Sequence, residues 1–466
     1  MTRPPFGFGP SDRPDEPGGE DPFGLSAMFG GALGGGPDVW GQLQRLTAWR
    51  GGPVNWDLAR EIATNALAAA DPDVPAAELR AVTEACRLAE VWLDPLTTLP
   101  GTGGDPRALT RLGWLEATLP AWRQLVDPVA AQVVTAMGKA LEHGIGGLSG
   151  PAGSGLPPEL AGMMSGLGAN PFKGVMDQVG GFVFGAQVGQ ALGALAGEVL
   201  GATEIGLPLG EPGRSALLPA NIAAFAEGLE VPLDEVRLYL ALREAAHQRL
   251  FAHVPWLRSH LYDAVDAYAR GIEVDPAAIE RAVGSIDPQD PASLQEAMGT
   301  GVFDLEPTDA QNAALGRLET ALALVEGWVD LVVDAAAAGT LPHAVALRET
   351  VRRRRATGGP AEQTFATLVG LQLRPRRLRE AAALWQAVTE ARGVEGRDAL
   401  WAHPDLLPGA SDLDDPARFL GASGPGTEVP GSQDWDAGLR ALDKDLDGRL
   451  DDDAQGPDDP EAHPPI

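Results

Sequence analysis

The spacing of apolar residues is the feature that most constrains the fold of this chain. Between the two ends they recur every three or four residues, which places them on one face of an α-helix. Alternating strand patterns are nearly absent, and 3 Tyr with 12 Phe leave few of the aromatic residues that strands favour. The sequence therefore predicts a mainly α fold. The clearest helical segments are WDLAREIATNALAAA (56–70), PAAELRAVTEACRLAEVWL (75–93), PVAAQVVTAMGKALEHG (128–144), LDEVRLYLALREAAHQRLF (233–251) and GRLETALALVEGWVDLVVDAA (316–336).

The two ends of the chain differ from its middle. Residues 1–38 are rich in Gly and Pro with scattered acids, and residues 421–466 are acidic and interrupted by Pro and Gly. Such segments bury too little apolar surface to become ordered on their own. We therefore predict disordered tails on either side of one helical domain, 39–420, with one short helix in the second tail at DWDAGLRALDKDL (434–446).

Charge and cysteine content narrow the range of partners. With 35 Lys and Arg against 65 Asp and Glu, the formal net charge is -30, which repels nucleic-acid phosphates and anionic membrane surfaces. We expect no nucleic-acid partner. The single cysteine, Cys86, excludes an intrachain disulfide and a structural zinc site of the cysteine type. Because the N-terminal residues also lack the apolar core of a signal peptide, we expect a cytoplasmic protein.

Glycine recurs every fourth residue between Gly181 and Gly201, which would align the glycines along one stripe of a helix. A glycine inside a helix costs about 0.5–1 kcal/mol relative to alanine, so the stripe predicts another backbone packed closely against it. The alternative is a transmembrane helix with small residues at its packing face. Gln187, Gln190 and Glu198 argue against a membrane span. The sequence does not identify the partner of this helix.

Residues 243–247 differ by one residue from the HExxH motif of zinc peptidases. In that motif two histidines four residues apart bind zinc, and the adjacent glutamate is the general base. Here Glu244 and His247 keep their places, but Arg243 replaces the first histidine. Downstream, Glu326 is spaced to act as a third zinc ligand and Asp330 to support a ligand through a hydrogen bond. The pattern predicts Glu244 as catalytic base and His247 with Glu326 as metal ligands.

Arg243 is the obstacle to zinc binding at this motif. A guanidinium stays protonated, offers no lone pair for a metal and repels a divalent cation. In the preferred interpretation Arg243 takes the place of the cation and pairs, buried, with Glu326, Asp330 or Glu244. The two alternatives are a metal site rebuilt with another ligand and ordinary ion pairing on a helix surface.

Replacement ligands are scarce in the sequence. His253 and His260 follow His247 at spacings that turn them away from its helix face, and Pro255 is expected to end that helix. His253 is therefore only a weak candidate for a replacement ligand. The remaining candidates are far from the motif and fit capping or hydrogen-bonding roles better: His143, His343 and His403.

Two further charge patterns have simpler explanations. Residues 443–451 match the start of a calcium-binding EF-hand loop, but Ala454 stands where the bidentate glutamate is required, so a solvated acidic tail is the better interpretation. The basic run 352–355, with Arg374, Arg376, Arg377 and Arg379, could bind phosphate or an acidic partner. We favour pairing with the chain's own excess carboxylates.

The chain resembles the bacterial zincin-like metallopeptidase family from about Val39 to Leu420. The resemblance implies a mainly helical zincin-like fold, zinc as cofactor and a zinc-dependent hydrolase activity. Two hypotheses follow: a hydrolase of peptide bonds impaired at Arg243, or a silent pseudopeptidase that serves as a scaffold or binds a peptide or protein. The oligomeric state is open. The segments that carry the resemblance are GLPLG (206–210), LREAAHQRLFAHVPWL (242–257), LVEGWVDLV (324–332), LVGLQLRPRRLREAAALW (368–385) and RDALWAHPDLLP (397–408).

Overall fold

A computed structural model describes residues 51–148, 171–271, 308–356 and 377–422. Helices dominate these ranges, which confirms the mainly α fold. Residues 1–38, 423–466 and the EF-hand-like stretch lie outside the described residues. The described helices are α1 (Trp56–Leu67), α2 (Ala76–Leu93), α3 (Arg111–Leu148), α4 (Pro171–Ala196), α5 (Pro219–Ala226), α6 (Leu233–His253), α7 (Pro255–Arg270), α8 (Asp309–Ala337), α9 (Ala344–Ala356), α10 (Leu378–Asp398), α11 (Ala410–Asp414) and α12 (Pro416–Ala422).

All five segments with the clearest helical spacing are helical. Local signals in the sequence account for two of the helix starts. Asn55 caps α1 by accepting a hydrogen bond from the backbone N–H of Leu58 at 3.1 Å. Thr308 and Gln311 form a reciprocal capping box at the start of α8. These caps satisfy N–H groups that the first turn of a helix leaves without partners.

Proline divides the segment that contains the motif into two helices. Helix α6 ends at His253 and α7 begins at Pro255, while Val254 between them has non-helical dihedral angles (φ -111°, ψ 84°). Proline has no N–H for the preceding turn, so the predicted break falls where expected. The break also places His253 on an exposed helix end, away from the core.

The glycine stripe packs against α1. A Cβ atom on Gly185 would lie 2.6 Å from the carbonyl oxygen of Asn55, and one on Gly189 would lie 2.6 Å from that of Ala59. Only glycine permits so close an approach of two backbones, which confirms the predicted tight contact and identifies α1 as the partner. No helix in the described ranges is both long and apolar enough to cross a membrane.

Helices α6 and α8 form the centre of the core. Helix α6 packs against α2 and α8, and α8 also packs against α7 and α10. Most of α6 is buried, including its charged residues, and buried charges require partners. Arg249, for example, is fully buried. It forms ion pairs with Glu90 of α2 and with Asp94, which directly follows α2. The motif therefore lies on a central helix and not at the surface.

A short parallel sheet brings a loop over α6. Strand β1 (Arg107–Ala108) pairs with β2 (Ala216–Leu217), with Arg107 opposite Ala216. Gly201 forms an isolated bridge with Leu217, so the loop that follows α4 is tied to β2. This loop packs against Glu244 of α6.

The chain divides into two compact units, Met1–Asp414 and Asp415–Ile466. The described part of the second unit consists of α12, where the side chain of Asp415 accepts a hydrogen bond from the backbone N–H of Arg418 at 3.1 Å. The domain bounds expected from the sequence, 1–38, 39–420 and 421–466, stay predictions.

Candidate functional site

Two helices bring four of the predicted site residues together. Because residues four apart share a helix face, Arg243 and His247 of α6 point the same way, as do Glu326 and Asp330 of α8. The Nη2 atom of Arg243 lies 2.7 Å from Oε2 of Glu326, and its Nη1 contacts Oδ1 of Asp330. The Nε2 atom of His247 lies 2.9 Å from Oε1 of Glu326. The four side chains form one buried ion-pair cluster.

Arg243 is at the centre of this cluster. It is 6% exposed, so the pair is not a surface contact. Burial alone would lower the pKa of the guanidinium, but the charges of Asp330 and Glu326 outweigh burial and raise the pKa. Arg243 therefore carries a permanent positive charge between two carboxylates, with a separate hydrogen bond to each.

His247 uses both ring nitrogens in hydrogen bonds. Its Nδ1 lies 2.8 Å from the carbonyl oxygen of Arg243, which can only accept, and its Nε2 faces the Glu326 carboxylate. Both ring nitrogens therefore face oxygen atoms of the chain, where a zinc ligand would direct one of them at the metal.

The carboxylate of Glu326 is surrounded by positive charge. Besides Arg243 and His247, Arg355 of α9 approaches its Oε2 atom to 2.5 Å. Burial by itself raises the pKa of Glu326, but Arg355, His247 and Arg243 outweigh it and hold the pKa well below its usual range. Glu326 is therefore ionised at neutral pH, with donors on both oxygens.

Three ion pairs join helix α9 to α8. Three acids at four-residue spacing on α8 meet three arginines on α9 in antiparallel order, at distances of 2.5, 2.8 and 2.7 Å. The pairs are Glu326 with Arg355, Asp330 with Arg352, and Asp334 with Arg348. Part of the predicted basic run thus pairs with the chain's own carboxylates. Arg353 pairs with Glu349 and Arg354 with Glu204.

Glu244 points away from the cluster. One of its oxygens accepts hydrogen bonds from the backbone N–H and the hydroxyl of Thr203, at 3.1 and 2.6 Å. The other accepts from the backbone N–H of Ala216 at 3.3 Å and from Gln248 at 3.1 Å. Burial raises the pKa of Glu244, and the hydrogen bonds from Thr203 and Gln248 offset only part of that rise. Four donors of its own chain therefore occupy the residue predicted to be the base.

The loop after α4 supplies site residues that sequence reasoning missed. A Cβ atom on Gly201 would lie 2.7 Å from Oε2 of Glu244, and one on Gly206 would lie 2.9 Å from Oε1 of Glu326. Gly206 also has a positive φ of 77°, which favours glycine. The two glycines let the loop approach both acids, and Thr203 between them binds Glu244. The GLPLG segment at 206–210 was the available signal, because it accompanied the motif in the resemblance.

A small cavity lies beside the cluster. It has room for the centres of water molecules over a volume of about 30 Å³. Charged side chains from the loop after α4, from α6 and from α9 line the cavity, and most of its other lining residues are apolar. Its lining includes Leu200, Leu217, Leu240, Val351, Arg354 and Arg355.

The other histidines considered from the sequence lie elsewhere. His260 stacks edge-on against Trp256, and His343 lies 3.0 Å from Glu235. His403 accepts a hydrogen bond from the backbone N–H of Asp405. The side chain of His143 is outside the described part of the structure. None of the histidines with a described side chain joins His247 in the cluster.

Comparison with known proteins identifies the family. A sequence model of the zincin-like metallopeptidase family matches residues 54–420. The chain belongs to this family. The chain has no match among curated proteins. The chain is similar to a crystal structure from Chloroflexus aurantiacus, described as that of a candidate hydrolase with a novel fold. The TM-score is 0.53 and the sequence identity 20%, and the match covers 79% of this chain and 97% of the other. At that identity the likeness concerns the fold alone.

The family name implies zinc, but the residues at this site do not fit the metal. The guanidinium of Arg243 already bonds to both acids that would face zinc. The Nε2 atom of His247 is 2.9 Å from Glu326, whereas two ligands of one tetrahedral zinc lie about 3.3 Å apart with the metal between them. Among the side chains that the structure describes, no three His, Cys, Asp or Glu come together as a metal site. The cluster is a set of ion pairs in which Arg243 is the central cation.

Proposed function

We propose that this protein is a pseudopeptidase, a family member that binds a peptide or protein partner and does not cleave it with zinc. The observation that carries the proposal is the buried contact of Arg243 with both Glu326 and Asp330. A protonated guanidinium there supplies the positive charge that a metal would supply, but it offers no site for an activated water.

The remaining motif residues support the same proposal. A zinc peptidase needs a neutral histidine with a free lone pair and a base that faces the metal-bound water. The Nε2 atom of His247 lies 2.9 Å from Glu326, and both oxygens of Glu244 accept hydrogen bonds from Thr203, Ala216 and Gln248. Each residue has a structural partner where the reaction would require a free atom.

A zinc-dependent hydrolase is the second candidate. Membership of a metallopeptidase family and the similarity to a candidate hydrolase favour it. His247 and Glu326 would then hold the metal and Glu244 would serve as base. This activity requires Arg243 to leave the two acids and His247 to give up its hydrogen bond to Glu326.

The partner class and the compartment belong to the same proposal. The formal net charge of -30 disfavours nucleic acid, so a peptide or protein is the expected partner. Cys86, the single cysteine, is buried and forms no disulfide, which agrees with a cytoplasmic location.

Metal analysis of the purified full chain tests the proposal. After dialysis against metal-free buffer we expect no stoichiometric zinc and no change in the unfolding midpoint when a chelator is added. Retention of about one equivalent of zinc, lost in a His247→Ala variant, would establish the hydrolase alternative. The same two preparations, assayed for cleavage of a peptide library with and without added zinc, give an independent readout.

A further inference from the structure

We propose that helix α9 is a strap that closes the site and moves aside before a partner reaches the Arg243 cluster. The inference rests on the proposed function, because it concerns access to the site where the partner would bind. The described arrangement is then the closed one of two states. In the open state α9 is displaced while α6 and α8 stay folded.

Helix α9 covers the site on one side. Val351 and Arg355 of α9 line the small cavity together with Leu240 and His247 of α6, and Arg355 also contacts Glu326. The side chains of His247 and Glu326 are each 2% exposed, whereas that of Arg355 is 14% exposed. Displacement of α9 would therefore uncover both the cavity and the cluster.

Apolar packing contributes little to the attachment of α9. Among residues 344–355 only Leu347 and Val351 are buried, whereas most of α6 is. Another apolar residue of the helix, Val345, is 69% exposed. Segments with few buried apolar side chains open locally at a lower free energy than the whole fold. We therefore expect α9 to open before the core does.

Ion pairs with other elements hold α9 in its closed position. At its two ends Arg348 pairs with Asp334 at 2.7 Å and Arg354 with Glu204 at 3.1 Å. These four side chains are between 19% and 34% exposed, so water can reach the charges when the pairs separate. Partly exposed pairs contribute little stability and weaken in salt. The attachment is therefore reversible.

The buried acids beneath α9 do not lose every cation when α9 leaves. Glu326 keeps Arg243 and His247, and Asp330 keeps Arg243. A buried carboxylate is costly mainly when no cation remains beside it. The cluster can therefore stay folded in the open state.

The start of α9 provides a pivot. The chain turns after α8 at Gly339, whose φ of 73° favours glycine, and the described residues place no atom within 4 Å of a Cβ added there. Just before α9, the backbone N–H and the Nδ1 atom of His343 lie 3.2 and 3.0 Å from Oε2 of Glu235 on α6. This end stays attached to α6 while the far end swings away.

Thiol labelling of the full chain tests for the open state. Leu240→Cys places a thiol on α6 in the cavity that α9 covers. Cys86 is 1% exposed and burial raises its pKa, so it reacts when the core opens and reports on global unfolding in the same protein. Under native conditions N-ethylmaleimide should modify the introduced thiol about tenfold faster than Cys86, or more, as followed by mass spectrometry. Equal rates would overturn the strap.

Two arginines of α9 provide a matched pair of variants. Arg348→Gln removes an ion pair with α8, whereas Arg353→Gln removes the same charge from a side chain that is 76% exposed and pairs with Glu349 of its own helix. In the Leu240→Cys protein the first should speed labelling of the introduced thiol by about threefold, and the second should not. Added salt should act like Arg348→Gln. A labelling rate that responds to neither Arg348→Gln nor salt would contradict attachment by ion pairs.

Hydrogen exchange of the unmodified chain tests the same opening without a substitution in the cavity. Backbone amides of α9 should exchange through a local opening while those of α6 and α8 stay protected. Exchange of α9 as slow as that of α6 would show that the helix opens only with the whole fold, and the strap would fail.

Zinc analysis of Arg348→Gln separates this inference from the proposed function. After incubation with zinc and dialysis the protein should hold none, because Arg243 still bonds to both acids. Retention of about one equivalent of zinc by this variant would sink the pseudopeptidase proposal and leave the strap standing. Failure of labelling and exchange to detect a local opening, in a protein free of zinc, would overturn the strap alone.

Discussion

Arg243 and Glu326 form a hydrogen-bonded ion pair with an Nη2 to Oε2 distance of 2.7 Å, buried between α6 and α8. Neither partner can turn to solvent when the other is removed, because both side chains are more than nine-tenths buried. A buried pair of this kind is expensive to break from one side, since the remaining charge loses a partner and has no access to water. The folding stability of the chain should therefore depend on Arg243.

Arg243→Ala should destabilise the protein by about 3–5 kcal/mol at neutral pH. The physical reason is the loss of the cation that bonds both Glu326 and Asp330; Glu326 then keeps Arg355 and His247, and Asp330 keeps only Arg352. Urea unfolding monitored by circular dichroism gives the free energy of unfolding. Arg353→Ala removes an exposed arginine from α9 and should change it by less than about 0.5 kcal/mol. Equal effects of the two variants would contradict the role given to Arg243.

Acid should remove the stabilisation that Glu326 provides. Arg355, His247 and Arg243 overcome the effect of burial and depress the pKa of Glu326 in the folded state. A carboxyl with a depressed folded pKa stabilises the fold above its unfolded pKa, about 4.3, and loses this contribution as the pH falls towards the folded pKa. The stability gap between wild type and Glu326→Gln should be full at pH 7 and shrink as the pH falls towards 3.

Glu244→Gln is the internal control for that pH series. Burial raises the pKa of Glu244, so its protonation favours the folded state. Relative to Glu244→Gln, wild type should therefore gain stability as the pH falls from 7 to about 4.5, the opposite trend. Unfolding free energies of the three proteins across the pH range separate the two behaviours. Parallel curves for both variants would show that the two acids do not differ as the site geometry requires.

Local spacing in the sequence predicted much of the fold and part of the site. Apolar periodicity predicted the helices, and Pro255 predicted the end of α6. The four-residue glycine spacing predicted a close contact between helices. The spacing of Arg243 and His247, and of Glu326 and Asp330, placed each pair on one helix face. These predictions depend on residues close together in the chain, where helix geometry fixes the relation.

The features that the sequence could not predict depend on distant segments. Nothing near Gly185 indicates that its neighbour is Asn55, the residue that caps α1, and nothing in the basic run indicates that Arg355 bonds to Glu326. Glu244 looked like a base because of its place in the motif. Its partner Thr203 lies in a loop whose approach depends on the glycines around it. The three-dimensional packing decides which of several possible partners each charge finds.

Restoring histidine at position 243 should create a zinc site. Arg243→His would place two histidines four residues apart opposite Glu326 and remove the cation that repels the metal. Arg355 would still hold Oε2 of Glu326, so a double variant with Arg355→Gln should bind zinc more tightly than the single variant. If free zinc exceeds Kd about 100-fold, the double variant should gain about 2.7 kcal/mol in unfolding free energy over the same protein in EDTA.

The controls for zinc binding are the wild type and a triple variant, in which His247→Ala is added to Arg243→His and Arg355→Gln. Neither should gain stability with zinc, because the first keeps Arg243 and the second lacks a ligand. If the Arg243→His, Arg355→Gln protein folds but zinc does not change its unfolding free energy, the α6 and α8 side chains do not have metal-site geometry. A wild-type response equal to that of the variant would mean that Arg243 does not block the metal.

The close α1–α4 contact predicts opposite effects of alanine at two helical glycines, Gly189 and Gly316. A Cβ atom at position 189 would lie 2.6 Å from the carbonyl oxygen of Ala59 and 2.9 Å from Cβ of Ile62, so Gly189→Ala must push the helices apart. Overpacking of this kind costs about 1–3 kcal/mol. Gly316 of α8 has no atom within 4 Å of the same position. Gly316→Ala should therefore stabilise the protein by about 0.5–1 kcal/mol, through helix propensity alone. Thermal and urea unfolding of both variants should show opposite signs, and a stabilising Gly189→Ala would contradict the close packing of α4 on α1.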